Sequence, residues 1–332
     1  MPNATFDPSR RRLLGLASSI GAASFLPGLA RADDWPSRPI RLIVGYPPGG
    51  GTDTVARLTA LHLSQTLGGQ VIVDNRPGAS GIVGTEMVAH ASPDGYNILF
   101  ATASPLTGAP LTVKNLAYDP FTDLKPVIFI GGGPFILVAN PSFPPNTLQE
   151  LVAYARAHPG EVNYASPGNS TADYFFCELL NIDAKIKTVA VAYKGSAALL
   201  NDVMGGYVQY TLDTPGTTLP LIRAGKLKAI AVLSDKRLDI APDIPTAVEA
   251  GYPRMVGGSW YGMLAPKGTP DAIVQKLYQA TKTAMASPEM VQGLAARDVI
   301  AQGLPPAEFG AFIKAEYNKW KEVTEKLGIQ PQ

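Results

Sequence analysis

The chain has 332 residues, 46% of them apolar and 17% charged, enough to bury a sizeable core and too apolar for disorder. That length exceeds one ordinary domain, so two domains or one large α/β unit are expected. A net charge of +1 offers no basic field for nucleic acid, and the lone cysteine, Cys177, excludes an internal disulfide or a multi-cysteine metal site.

The chain opens on Ser9-Arg10-Arg11-Arg12-Leu13-Leu14, followed by an apolar stretch to Leu29 that Pro27 interrupts, and then Ala30-Arg31-Ala32. A basic head, an apolar middle and a small-x-small end read as a cleaved export signal over residues 1–32. The paired arginines resemble a twin-arginine signal, which exports folded protein to the periplasm. A membrane anchor is the alternative, but the stretch is short and diluted by serine and glycine. No cysteine follows it, so no lipid anchor is expected. Removing residues 1–32 takes away four arginines and Asp7, which leaves a net charge of −2.

Beyond residue 32, short β-branched runs alternate with helical stretches. Strands are expected at Ile40–Tyr46, Val71–Asp74, Ile98–Ala101, Leu124–Ile130 and Phe135–Ala139, with helices over Thr54–Leu67 and Gly81–His90. Gly131-Gly132-Gly133-Pro134 divides the last two strands and suits a hinge or a crossing point. A second series follows. It has strands at Asn163–Ser166, Thr188–Ala192, Val208–Asp213 and Leu227–Val232, and helices over Leu148–Ala157, Ala172–Leu180, Ala197–Met204 and Leu219–Ala224. Ser259–Leu264 reads as a return strand, and helices begin near Pro270, Pro288 and Pro305. The last carries Phe309, Phe312, Ile313, Trp320, Val323 and Leu327 in one stripe, a packing face that would dock it on the first half. Such alternation predicts parallel sheets with crossover helices.

In open α/β sheets, ligands bind beyond the carboxyl ends of strands, at helix starts. Tyr46-Pro47-Pro48-Gly49-Gly50-Gly51-Thr52-Asp53 lies at such a junction, where glycine amides and a helix N-terminus make an anion cradle. The same residues suit an ordinary tight turn capped by Thr52 or Asp53. Neither a P-loop nor a G-x-G-x-x-G pattern is present. Ser80 in Arg76-Pro77-Gly78-Ala79-Ser80-Gly81, and Thr102 and Ser104 after the next strand, would line the same cleft, or serve as turn residues. From the second series come Ser166, Gly168, Asn169, Ser170 and Thr171, joined by Tyr193 in Tyr193-Lys194-Gly195-Ser196 and by Asp213. A helix start from each half would trap a dicarboxylate or a zwitterion.

Enzyme motifs are missing. His62, His90 and His158 fit no H-x-x-x-H or H-E-x-x-H pattern, no G-x-S-x-G elbow occurs, and Cys177 sits in an apolar run that suits an inert thiol. No enzymatic activity and no cofactor are expected.

The Tyr46–Asp53 run, Val73-Asp74-Asn75-Arg76-Pro77-Gly78-Ala79-Ser80-Gly81, Ser92-Pro93-Asp94-Gly95-Tyr96, Tyr193-Lys194-Gly195-Ser196, Ala224-Gly225-Lys226-Leu227, Pro242-Asp243-Ile244-Pro245-Thr246 and Trp260-Tyr261-Gly262 occur in order along the chain. Together they resemble the Bug family, the extracytoplasmic solute receptors of tripartite tricarboxylate transporters. The resemblance implies a type II periplasmic-binding-protein fold, two Rossmann-like lobes joined by crossing strands. It places lobe 1 in residues 33–133 and 257–332 and lobe 2 in residues 134–256. It also implies a monomer that takes a small organic carboxylate, dicarboxylate or aromatic, into the Tyr46–Asp53 loop and hands it to membrane transporter subunits. A sensory receptor on the same fold, or more distantly a secreted hydrolase, is the alternative.

One stretch departs from the family pattern. The second-lobe loop commonly reads glycine, a hydroxyl residue, two further residues and histidine, whereas this chain has Ser170, Thr171, Ala172, Asp173 and Tyr174. Tyr174 would stack on or bond to a cyclic ligand, or else pack with Phe175 and Phe176 under its helix. On this reading the ligand carboxylate meets the Gly50–Asp53 amides and the Tyr46 hydroxyl, a second polar group meets Ser170, Thr171 or Asp213, and bridging closes the lobes.

Overall fold

A computed structural model describes residues 35–331; the export-signal reading of residues 1–32 lies outside them. The fold and the site belong to one compact unit that begins at Pro36.

The strands form two sheets. Ile40–Val44 (β1), Val71–Asn75 (β2) and Asn97–Ala101 (β3) run parallel, with β1 in the middle. Leu42, Ile43 and Val44 are buried on both faces, as expected of an apolar parallel strand covered by helices on each side. Gly51–Leu67 (α1) and Ile82–Ala89 (α2) make the crossovers. Leu124–Pro134 (β4), Gly258–Pro266 (β10) and Ile300–Leu304 (β11) complete a six-stranded sheet in the order β11-β4-β10-β3-β1-β2, with β10 antiparallel to β3 and β4.

The second sheet is β7-β6-β8-β5-β9, built from Ile136–Ala139 (β5), Asn163–Ser166 (β6), Val189–Ala192 (β7), Tyr210–Asp213 (β8) and Lys228–Val232 (β9). Strand β5 is antiparallel to β8 and β9, while β6 runs parallel to β7 and β8. Its helices are Leu148–Ala157 (α4), Ala172–Ala184 (α5), Ser196–Gly205 (α6) and Pro215–Arg223 (α7). Both sheets are therefore mixed, because the chain enters the second one and returns to the first on reversed strands. The result is a two-lobed α/β fold.

The first passage between sheets follows the triple glycine, but no turn forms there. Strand β4 continues through Gly131–Gly133 to Pro134, and the glycines are required by crowding. A Cβ on Gly133 would lie 2.0 Å from the Asp298 carbonyl, and one on Gly131 would lie 2.1 Å from the Ile300 carbonyl. The two passages meet in a closed ring of backbone bonds: Phe135 N–H to Gly257 O (3.2 Å), Gly257 N–H to Leu233 O (2.9 Å) and Leu233 N–H to Phe135 O (2.8 Å).

Pro306–Leu327 (α10) bridges both lobes. Phe309 packs near Phe129 of β4 and Trp260 of β10, at ring distances of 5.5 and 5.9 Å. Towards the other end of the helix, Trp320 stacks on Phe175 of α5 at 5.3 Å and meets Phe176 edge-on at 4.8 Å. The expected stripe is thus a packing face, and it serves the second lobe as well as the first. A turn over 104–108 leading into Ala109–Thr112 (α3) reaches the same boundary, where Thr112 and Ser170 share a hydroxyl hydrogen bond of 2.8 Å. Gly108 lets this segment approach, since a Cβ there would come within 1.9 Å of the Ser170 carbonyl. Asp271–Met285 (α8) and Pro288–Ala295 (α9) complete the first lobe.

Candidate functional site

A cleft of about 840 Å³ opens between the sheets, lined from one side by Tyr46–Thr52 and Tyr261 and from the other by Asp173, Ser196, Asp213 and Thr214 among others. Its walls are largely helix beginnings. Gly51 and Thr52 start α1, Asp173 lies in the first turn of α5, Ser196 starts α6, and Thr214 precedes α7. Such ends carry partial positive charge and N–H groups without intrahelical acceptors.

Helix α1 starts earlier than its sequence predicts, because Thr52 and Asp53 lie inside the first turn and Gly50 is the N-cap. No side chain caps it, so the amides of that turn are left to whatever occupies the cleft. Asp53 acts as a brace. Only 2% exposed, its carboxylate accepts from Gly49 N–H (2.8 Å), Arg57 Nε (2.9 Å) and Asn75 Nδ2 (2.8 Å), and Asn75 also donates to the Tyr46 carbonyl (3.0 Å). Burial alone would raise this carboxyl, but those bonds outweigh it and hold the group below its ordinary range. The brace fixes the glycine loop from behind while Arg57 balances its charge.

The Tyr46 hydroxyl donates to Ser80 O (3.0 Å) and shares a 2.9 Å bond with Thr102, and burial pushes its phenol up to about 12. Tyr46 therefore faces the cleft with its proton already committed to Ser80. Ser80 adopts a left-handed backbone, and its Oγ lies 3.5 Å from where a Cβ of Gly168 would stand, so the two lobes nearly touch there. The Ser104 hydroxyl is buried and has no hydrogen-bond partner.

On the second side, Ser166, Gly168, Ser170 and Thr171 bond mainly to one another. Thr171 Oγ1 donates to Gly168 O (2.6 Å), Gly168 N–H donates to Ser166 Oγ (3.2 Å), and Ser170 Oγ donates to Asn169 Oδ1 (3.3 Å). Tyr193 donates to Asp202 (2.8 Å), and Tyr174 packs edge-on against Phe175 at 5.7 Å and near Tyr164 at 6.4 Å. Neither is among the cleft residues. Of the expected site residues, Tyr46, Gly50, Gly51, Thr52 and Asp213 line the cleft directly. Asp53, Ser80, Thr102, Ser166, Gly168 and Thr171 stand behind or beside that lining.

Asp173, Lys194, Ser196 and Thr214, which the sequence sets in the second-half loops without marking them as ligand residues, line the cleft, as do Thr217, Ser259 and Tyr261, which sequence reasoning left out. Tyr261 comes from return strand β10, whose Trp-Tyr-Gly run carries no local sign of a ligand. Asp173 is the more consequential. It is 6% exposed and Asp213 7%, and the Oδ2 atom of each is buried with no hydrogen-bond partner. Burial, helped by the Asp213 charge and opposed by the Thr171 hydroxyl, pushes the Asp173 carboxyl up to about 7. Burial raises Asp213 as well, against hydrogen bonds from Thr214 and its neighbours.

Comparison with known proteins identifies the fold's relatives. Residues 55–329 match the family model described as tripartite tricarboxylate transporter family receptor. The chain belongs to that family. Protein BugT of Bordetella pertussis is 34% identical over 320 residues, covering 96% of this chain and 98% of that one. The structure of the periplasmic binding protein BugD superposes with a TM-score of 0.81 at 35% identity, covering 90% of this chain and all of BugD. An R. palustris protein, Rpa4515, whose structure is with adipate, gives a TM-score of 0.84 at 33% identity over 90% of this chain and 100% of its own. The family's members are periplasmic solute-binding receptors rather than enzymes.

Proposed function

We propose that this family member is an extracytoplasmic receptor that captures a small organic carboxylate by closing its two lobes, and that it delivers the ligand as a monomer to the membrane subunits of a tripartite tricarboxylate-type transporter. The observation that carries the reading is the uncapped start of α1 opening onto the cleft behind a glycine loop braced by Asp53. A ligand carboxylate there accepts from backbone N–H groups at the positive end of a 17-residue helix, and charge-assisted bonds of this kind are about twice as strong as neutral ones. Adipate bound by Rpa4515 supports the carboxylate class.

The lobes close about residues 133–135 and 233–257, with the Phe135–Gly257–Leu233 ring as the hinge, and the closed form is favoured because the ligand touches both sides. Export follows from residues 1–32. Titration calorimetry against a panel of carboxylic acids tests the reading, with Thr52→Ala expected to weaken the best ligand by roughly ten-fold, the value of one hydrogen bond to a charged group. Cys177→Ser, at a buried thiol outside the cleft, is expected to bind as the unaltered protein does. A panel without any binder refutes the cradle, and an unchanged affinity in Thr52→Ala refutes a share for the Thr52 hydroxyl in it.

A further inference from the structure

Two buried acids on the cleft are built in opposite ways. Asp53, behind the α1 cradle, has Arg57 beside it and accepts from Gly49 N–H and Asn75 as well. Asp173, in the first turn of α5, and Asp213, at the end of β8, stand together on the second wall. Both are more than nine-tenths buried, and no ion pair reaches either one among the described residues. Thr214 N–H donates to Asp213 Oδ1 at 2.7 Å, and the Thr171 and Ser166 hydroxyls serve Asp173, but the Oδ2 atom of each meets neither solvent nor a donor. An acid arranged like Asp53 is set to stay charged; one arranged like Asp173 is set to hold a proton.

We infer that carboxylate capture is proton-linked: Asp173, beside Asp213, must hold a proton for the cleft to close on an anion. The inference rests on the proposed capture of a carboxylate at α1 and states what regulates it. The ligand need not touch either acid, because like charges repel strongly through low-dielectric surroundings. Tyr46, which borders the cradle, already feels the Asp173 charge, so an anion seated there feels it too. Burial, helped by the Asp213 charge, pushes Asp173 up to about 7 against its hydroxyl and backbone donors, so the proton is exchanged near neutrality. The other groups facing the pair are the phenols of Tyr46 and Tyr261 and the Cys177 thiol, all kept protonated by burial. Glu178, further along α5, accepts from the Tyr164 hydroxyl, and Lys194 on the lining is exposed, where solvent screens its charge. A bound anion raises Asp173 further. Binding therefore takes up a proton, and by linkage affinity falls as pH rises through that range.

Adipate, succinate and benzoate, ionised throughout, are titrated by calorimetry from about pH 6.5 to 8.5 in buffers of low and high ionisation enthalpy. Affinity should fall with pH, approaching about ten-fold per unit above pH 7, the limit set by one proton. The difference in heat between buffers should show uptake that rises towards one proton over the same range. Asp173→Asn, neutral at every pH, should lose this dependence and bind more tightly than the unaltered protein at about pH 8.5, a gain that damage to the fold does not produce. Binding that is flat in pH and takes up no proton overturns this inference and leaves carboxylate capture standing, and so does a slope that survives unchanged in Asp173→Asn. Failure of all three probes to bind even at the lowest pH overturns both.

Discussion

Replacing Asp173 by asparagine probes the least compensated group in the cleft. Its carboxyl ionises at about 7 in the folded protein against 3.8 for an unperturbed aspartate, a rise of about three pH units. Each pH unit is worth about 1.4 kcal/mol, so ionising Asp173 in the folded state costs about 4 kcal/mol more than in the unfolded chain. The sign follows from proton counts. Below about pH 4 both states hold the proton and no penalty exists. Between about pH 4 and 7 the unfolded chain has lost its proton and the folded protein has kept it, so stability falls as pH rises. Above about 7 the full penalty remains. An asparagine side chain resembles the neutral acid in shape and cannot ionise.

The variant should therefore match the unaltered protein at pH 4 and exceed its stability by as much as about 4 kcal/mol at pH 8. For a chain of this size that is a gain of up to roughly 8 °C in Tm. Thermal unfolding followed by circular dichroism at half-unit steps from pH 4 to 8, without ligand, reads it. The groups facing Asp173 are the Asp213 carboxyl on β8, the Tyr46 phenol and the buried Cys177 thiol. Of these only Asp213 is a carboxyl, and burial raises it too, so Asp213→Asn serves as the parallel measurement. Two Tm curves that run parallel across the whole range would refute the view that an uncompensated acid is buried there.

Two further substitutions test the frame that carries the cleft. Trp320→Ala removes a fully buried ring that stacks on Phe175 and touches Phe176, and should cost about 3–5 kcal/mol in urea unfolding. Because those rings join α10 to the second lobe, small-angle scattering should also report a larger radius of gyration; unchanged stability would refute the packing. Gly133→Ala places a methyl 2.0 Å from the Asp298 carbonyl, so β4 and the segment before β11 must part. A loss of about 1–3 kcal/mol is expected in the same assay, and a neutral effect would show that the glycines serve bending alone.

The alternating strands and helices were legible because the β-branched runs are short and each is bounded by glycine or proline, as Ile40–Val44 is before Tyr46-Pro47-Pro48. The crossing near Gly131–Gly133 was legible too, but its cause was not. Chain flexibility was the local reading, and the structure shows contact with Asp298 and Ile300, residues far along the chain that no local pattern could connect to it. Strand β11 escaped because Ile300-Ala301-Gln302-Gly303-Leu304 lacks alternation and lies half open at a sheet edge. The start of α1 escaped for a different reason. Glycine is a poor helix former, so Gly51 reads as loop, and only the absence of a capping side chain shows what the early start provides. Asp173 could be seen as a departure from the family pattern, yet a carboxylate in a sequence looks the same solvated or buried.

The two walls impose a direction on any ligand. At α1 the cleft presents amides and a helix end with its nearest acid, Asp53, turned away and balanced by Arg57; the other side combines helix ends and Lys194 with the buried acids Asp173 and Asp213. A carboxylate at α1 meets no uncompensated acid, whereas on the other side the attraction of the helix ends is opposed by Asp173 and Asp213 when they are ionised. On the proposed closure, the second wall meets the other end of the ligand. Discrimination in such a site comes from the closing step rather than from the first contact. Thr52→Ala should therefore weaken all carboxylates alike, whereas Asp213→Asn should change which of them close the lobes.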